Sequence, residues 1–217
     1  MGHTLLKVSG AALVLFVTQC SDPFPDDPAS TAAVLSLVAL PAAVEVIETA
    51  AEAEAEAARE RAVFVTAAAY DGALGGIAAA DAACQADGNR PASDNEFRAL
   101  ISDGVNRRAC TTPNCSTPGE GLNWVLQANT TYYRGGSAAF STDANGIGDL
   151  GATGLALAFD DSAALFWWSG LAGDWTASAN DCLDWGSNSV IQNGAYGRGG
   201  ETAANAIAFT AASCLSP

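Results

Sequence analysis

Leu165-Phe166-Trp167-Trp168 reads as a buried strand, because large aromatic and branched side chains fit a pleated, packed surface. Working upstream, Trp124-Val125-Leu126 and Thr131-Tyr132-Tyr133 are also β-rich, and long Gly/Asn/Asp/Ser loops connect these runs. The pattern changes before residue 105. Gly75-Gly76 gives way to Ile77–Ala86, an Ala-rich run that predicts a helix carrying Cys84. Ser93 can cap a second helix, and Glu96 stands where a capping box needs it. Phe97, Leu100 and Ile101 then share one helical face, and Gly104 ends the run. Ala62-Val63-Phe64-Val65-Thr66 reads as a short opening strand. Two early helices followed by irregular strands predict an α+β domain with a mixed, mainly antiparallel sheet, not a parallel α/β fold.

Composition narrows the function. The chain has 217 residues, 49% hydrophobic and 15% charged, with 22 Gly and 8 Pro. It is too apolar for intrinsic disorder and too Gly-rich for a helical bundle. The formal net charge is −15, so a phosphate backbone is repelled and no nucleic-acid partner is expected. The one histidine, His3, lies at the N-terminus, which argues against Ser–His, Cys–His and zinc–His chemistry. The expectation is a binding or structural module, not an enzyme.

Residues 1–20 read as an export signal. Lys7 supplies positive charge, and Val8 to Val17 is an apolar core too short to span a bilayer. Cys20 follows that core directly, where bacterial lipoproteins are cut and acylated; ordinary secretion with cleavage nearby is the alternative. Acylation there would anchor the protein to a membrane without a spanning helix. Ser21 to Ser30 is a Pro/Asp-rich spacer, and Thr31 to Ile47 reads as a short amphipathic or docking segment. Glu48 to Arg61 is rich in Ala and Glu, so a helical stalk closes residues 21–61. Glu48, Glu52, Glu56 and Glu60 recur at every fourth position, the solvated face of a soluble helix. Residues 62–217 form the globular domain, with 15 acids against 6 arginines, a charge of −9.

Five cysteines fall in that domain, and export makes disulfides the default reading. Cys110 and Cys115 flank a Pro-Asn turn, which favours a local bridge contributing about 2 kcal/mol in the chain-entropy model. A metal site fits this spacing poorly without histidines. Calcium is the cation worth testing: Asp143, Asn145 and Asp149 place oxygens on a Gly-rich turn, though without the closing Glu of an EF-hand. Otherwise these residues are ordinary loop turns, and no cofactor is expected. Trp167, Trp168, Trp175 and Trp185 invite a sugar-stacking reading, but core positions suit them better. Asp160-Asp161 makes a poor acid/base pair, since neighbours on a strand point to opposite faces. Asn129-Thr130-Thr131 is a glycosylation sequon by pattern, one that would have no consequence in a bacterial lipoprotein.

Several motifs, in order, resemble one family. They include Val63-Phe64-Val65-Thr66, Tyr70-Asp71-Gly72, Leu74-Gly75-Gly76-Ile77 and Ala80-Asp81-Ala82-Ala83-Cys84. They continue with Arg108-Ala109-Cys110-Thr111-Thr112, Asn129-Thr130-Thr131-Tyr132-Tyr133-Arg134, Trp168-Ser169-Gly170-Leu171 and Cys182-Leu183-Asp184-Trp185. Together they resemble the endostatin-like bacterial surface lipoproteins best known from leptospires, and more widely the C-type-lectin-like fold. That resemblance implies a Cys182–Cys214 bridge. It also implies that the partner of Cys84 lies on a strand relatives carry beyond the position of Cys214, so Cys84 is expected as a buried, unpaired, reduced thiol. Without that strand, Ala62 to Thr66 would have an open edge and the domain would be less stable than its relatives. Asn180-Asp181 is faintly similar to a lectin calcium motif, but the sugar-binding Glu-Pro-Asn or Gln-Pro-Asp tripeptide is absent. The implied role is adhesion: an extracellular protein or glycan ligand, bound from a lipid anchor at the outer membrane or cell surface. A structural envelope protein with no discrete ligand is the alternative.

Overall fold

The computed structural model describes residues 61–93 and 95–216, together with Glu52 and Ala55. The export signal, Cys20 and the spacer lie outside the described residues; of the expected stalk, Glu52 and Ala55 are helical. The domain is α+β. Helix α1 (Ile77–Ala86) begins where predicted and buries Ile77 and Ala80. Strands β1 (Thr131–Arg134) and β2 (Ser137–Ser141) form an antiparallel hairpin. Its turn is Gly135-Gly136, both at positive φ, the conformation a two-residue hairpin needs and side chains resist.

A second antiparallel sheet joins β3 (Phe166–Trp168), β4 (Asn193–Arg198) and β5 (Thr210–Ser213), in that order. The predicted strand at 165–168 is therefore present as β3. Side chains alternate across a sheet, so Trp167 and Trp168 point to opposite faces. Trp167 packs on the larger core, with Trp175, Phe140, Phe159, Leu171 and Ile207. Trp168 packs on the smaller one, with Ile77, Ala80, Ile101 and Trp185. The sheet thus separates two hydrophobic clusters.

Three predicted elements differ. Among the described residues of 93–104 there is no helix. There Phe97, Ala99 and Ile101 are buried while Arg98 and Leu100 are only partly so, a period of two. The reason is that α1 takes the backbone groups a helix would use: Gln85 Oε1 accepts from Phe97 N and Asp81 Oδ1 from Ala99 N. Trp124-Val125-Leu126 is a loop, held where the Trp124 indole donates to Gly146 O. Of Ala62 to Thr66, only Ala62 bridges, in parallel, to Tyr133. A second short helical turn, α2 (Cys182–Trp185), was not predicted; all four of its residues have positive φ.

Candidate binding surface

The cysteines settle first. Cys110 pairs with Cys115 and Cys182 with Cys214, with Cα separations of 4.8 and 5.6 Å. Cys84 is unpaired and half-buried. Burial first, then the charges of Asp81 and Asp87, push its thiol up to about 11. At neutral pH it stays protonated and unreactive.

The carboxylates hold the loops. Asp143 Oδ1 accepts from Asn145 N and Ile147 N, and Asp149 accepts from Gly151 N and Thr153 N. Asn145 donates to Cys115 O, which leaves its buried Oδ1 without a partner. Both carboxylates of this loop are engaged by backbone amides, which fix its turns. Among the described residues, no group of three or more His, Cys, Asp or Glu side chains is assembled to hold a metal. Asp160 caps Ser162 N, while Asp161 pairs with Arg134 at 2.7 Å, so the two act separately. Glu120 accepts from the amides and hydroxyls of Thr111, Thr112 and Thr117. The Thr112 hydroxyl leads the causes that hold its carboxyl well below the usual range.

Of the tryptophans weighed as sugar platforms, Trp175 and Trp185 are fully buried. Trp167 and Trp168 are partly buried, and their indoles donate to Ala206 O and Tyr70 O. The exposed aromatic surface lies elsewhere. Phe166, 51% exposed, shares the Trp168 face of β3 and stands opposite Arg198 of β4. Its ring meets Tyr196 edge-on at 5.2 Å and lies 6.2 Å from Phe209. The Arg198 guanidinium sits 4.1 Å above the Phe209 ring and pairs with Glu201. Arg198 Nε is buried and unpartnered. This end of the sheet therefore presents the exposed Phe166 ring, backed by the half-buried rings of Tyr196 and Phe209 and by Arg198 in its pair with Glu201. Sequence reasoning missed Phe166 because it took the 165–168 run as wholly buried. The usable signal was the alternation along β3, which sends Phe166 and Trp167 to opposite faces.

A family model described as "Protein of unknown function (DUF1554)" matches residues 67–202. No curated protein and no solved structure matches the chain.

Proposed function

The chain belongs to the DUF1554 family, and from that premise we propose that it is a surface-anchored bacterial lipoprotein that binds an extracellular macromolecule, protein or polysaccharide. In this reading Cys20 carries the lipid, residues 21–61 act as spacer and stalk, and residues 62–217 form an endostatin-like, C-type-lectin-like binding domain. Its work is recognition rather than catalysis. The observation that carries the reading is the open aromatic end of the β3–β4–β5 sheet: an exposed Phe166 backed by Tyr196 and Phe209, with Arg198 beside them. Aromatic and arginine side chains dominate binding hot spots, since they present large rigid area with one polar handle. Two disulfides support export to an oxidising compartment.

The test is a matrix-protein and glycan array probed with the purified domain, with and without calcium. Saturable binding to one class of ligand, lost on Phe166→Ala, is the expected result. Silence across both arrays would overturn the reading in favour of a structural envelope protein. The anchor is tested separately: mass spectrometry of the mature protein should find an acylated Cys20 at its N-terminus, and a free N-terminus elsewhere rules the anchor out.

A further inference from the structure

We propose that the surface around the Cys182–Cys214 disulfide is a second docking site, and that its occupant is a cationic amphipathic polypeptide segment. Leu183, Val190, Ile191 and Leu215 are each more than half exposed, Ile191 at 80%. The chain gathers them in one place. Leu183 and Leu215 directly follow the two bridged cysteines, and Cys214 N donates to Gln192 O, next to Ile191. The left-handed turn α2 buries Cys182 and Trp185 while leaving Leu183 outside. Isolated exposed aliphatics are common, but a cluster of four around one covalent staple is a patch of the kind that marks interaction sites.

Charge identifies the occupant. Asp71, Asp181 and Asp184 border the patch. Gly72 N donates to Cys214 O, which brings Asp71 alongside, and Asp181 accepts from Asp184 N. Asp71 is also tied to Asn188 through the Asn188 side-chain amide. Among the described residues none of these three carboxylates has an arginine partner, whereas Asp81, Asp161 and Glu201 each have one. An apolar patch rimmed by unneutralised carboxylates complements a segment carrying both aliphatic side chains and Lys or Arg. A nucleic acid, an anionic membrane or a second copy of a chain with net charge −15 would be repelled. The site is distinct from the Phe166 end of the sheet. Phe166 pairs with Arg198, whereas the disulfide adjoins the Asn193–Ser213 pair at the other end of β4.

Fluorescence anisotropy on the full chain tests the proposal, with three labelled helical peptides as probes. One has a Leu face and a Lys face, one replaces Lys with Glu, and one keeps Lys but replaces Leu with Ser. The Leu/Lys peptide should bind saturably and weaken as salt is raised. Val190→Ser/Ile191→Ser and Asp181→Asn/Asp184→Asn should each weaken it by about tenfold or more, the scale of a hot-spot loss. Val105→Ser, an equally exposed valine on another loop, should leave it unchanged. Thermal unfolding of each variant confirms that it is folded, and the exposure of Val190 and Ile191 makes them tolerant positions. Equal binding of either control peptide, undiminished binding by the Val190/Ile191 variant, or no binding by the Leu/Lys peptide would overturn the proposal. The probes are synthetic and the variants lie outside the Phe166 face, so the outcome is independent of the array.

Discussion

Arg107 is fully enclosed, and each of its guanidinium contacts has a named partner. Nη1 and Nη2 reach the two oxygens of Asp81 at 2.8 and 2.7 Å, Nη1 also donates to Ala99 O, and Nε donates to Asn123 O. Burial pushes the Asp81 carboxyl up, but the Arg107 hydrogen bonds, the Ala99 amide and the Arg107 charge outweigh it, so the net shift is downward. Removing one partner of such a pair leaves a buried charge uncompensated. Asp81→Ala should therefore cost about 3–5 kcal/mol in urea unfolding. The Arg134–Asp161 pair is the comparison, since Asp161 is 86% exposed at its side chain. Asp161→Ala should cost no more than about 1 kcal/mol. Similar losses at both positions would mean that the enclosure of Arg107 contributes nothing beyond a surface pair. Nothing in Arg107-Arg108 as a sequence says which arginine turns inward. That choice is made by Asp81, 26 residues away in the chain.

Helix α1 was legible because the determinants of its start are local: Gly75-Gly76 before it and an alanine-rich run after it. The expected second helix was not, because Phe97-Arg98-Ala99-Leu100-Ile101 satisfies a helical and an alternating pattern at once. What decides between them is the set of hydrogen bonds from Gln85 and Asp81, which no local pattern contains. The aromatic end of the sheet was half legible, as a strand of the right extent whose outward face went unread. The turn α2 left no signal at all. Left-handed backbone costs L-residues about 1–2 kcal/mol each, and here it spans four consecutive positions. It is held by the Cys182 bridge, by the burial of Trp185, and by Gly75 N and Gly76 N donating to Trp185 O. At Leu183, where φ is 57° and the side chain is outside, the conformational term can be read almost alone. Leu183→Gly relieves the strain but adds chain entropy to the unfolded state, so it should stay within about 1 kcal/mol of the parent. Leu183→Val places a β-branched residue where it is least tolerated and should be less stable than the glycine variant by at least about 1 kcal/mol. Chemical unfolding of the two variants decides; equal stabilities would show that the turn relaxes when the side chain changes.

At the scale of the molecule, two covalent staples among the described residues and a shell of hydrogen-bonded carboxylates hold the loops between short strands. The staples differ in reach: Cys115 is 5 positions after Cys110, and Cys214 is 32 positions after Cys182. In the chain-entropy model the short bridge contributes about 2 kcal/mol and the long one about 3.5–4 kcal/mol, so Cys182→Ser/Cys214→Ser should be the costlier double variant. The carboxylates set the response to acid. Asp87 is held low first by the Ala67 amide, and Asp149 by the Gly151 amide. In Asp103, burial raises the carboxyl, but Asn106 and the backbone amides of 105–107 bring it below its ordinary value. Asp81 and Glu120 are lowered as described above. A carboxylate whose folded pKa lies below its unfolded one contributes stability above the unfolded value, and that stability is lost as the pH falls through the folded one. Asp181 has the opposite sign. Burial raises it and the Asp184 charge adds to the rise, so its contribution is present below the unfolded value and fades as the pH rises through the folded one. Self-repulsion within a domain of charge −9 also relaxes on acidification. Among the described residues, five lowered carboxylates, each bound to specific amides, hydroxyls or guanidinium groups, oppose one raised carboxylate and a repulsion spread over the surface. The balance favours the bound carboxylates, so the melting temperature should be flat from about pH 7 to pH 5 and fall steeply below about pH 4, where free carboxylates protonate. Calorimetry across that range with both disulfides intact reads it directly. A melting temperature that rises between pH 5 and pH 3 would mean that self-repulsion, not the carboxylate turns, governs the stability of this domain.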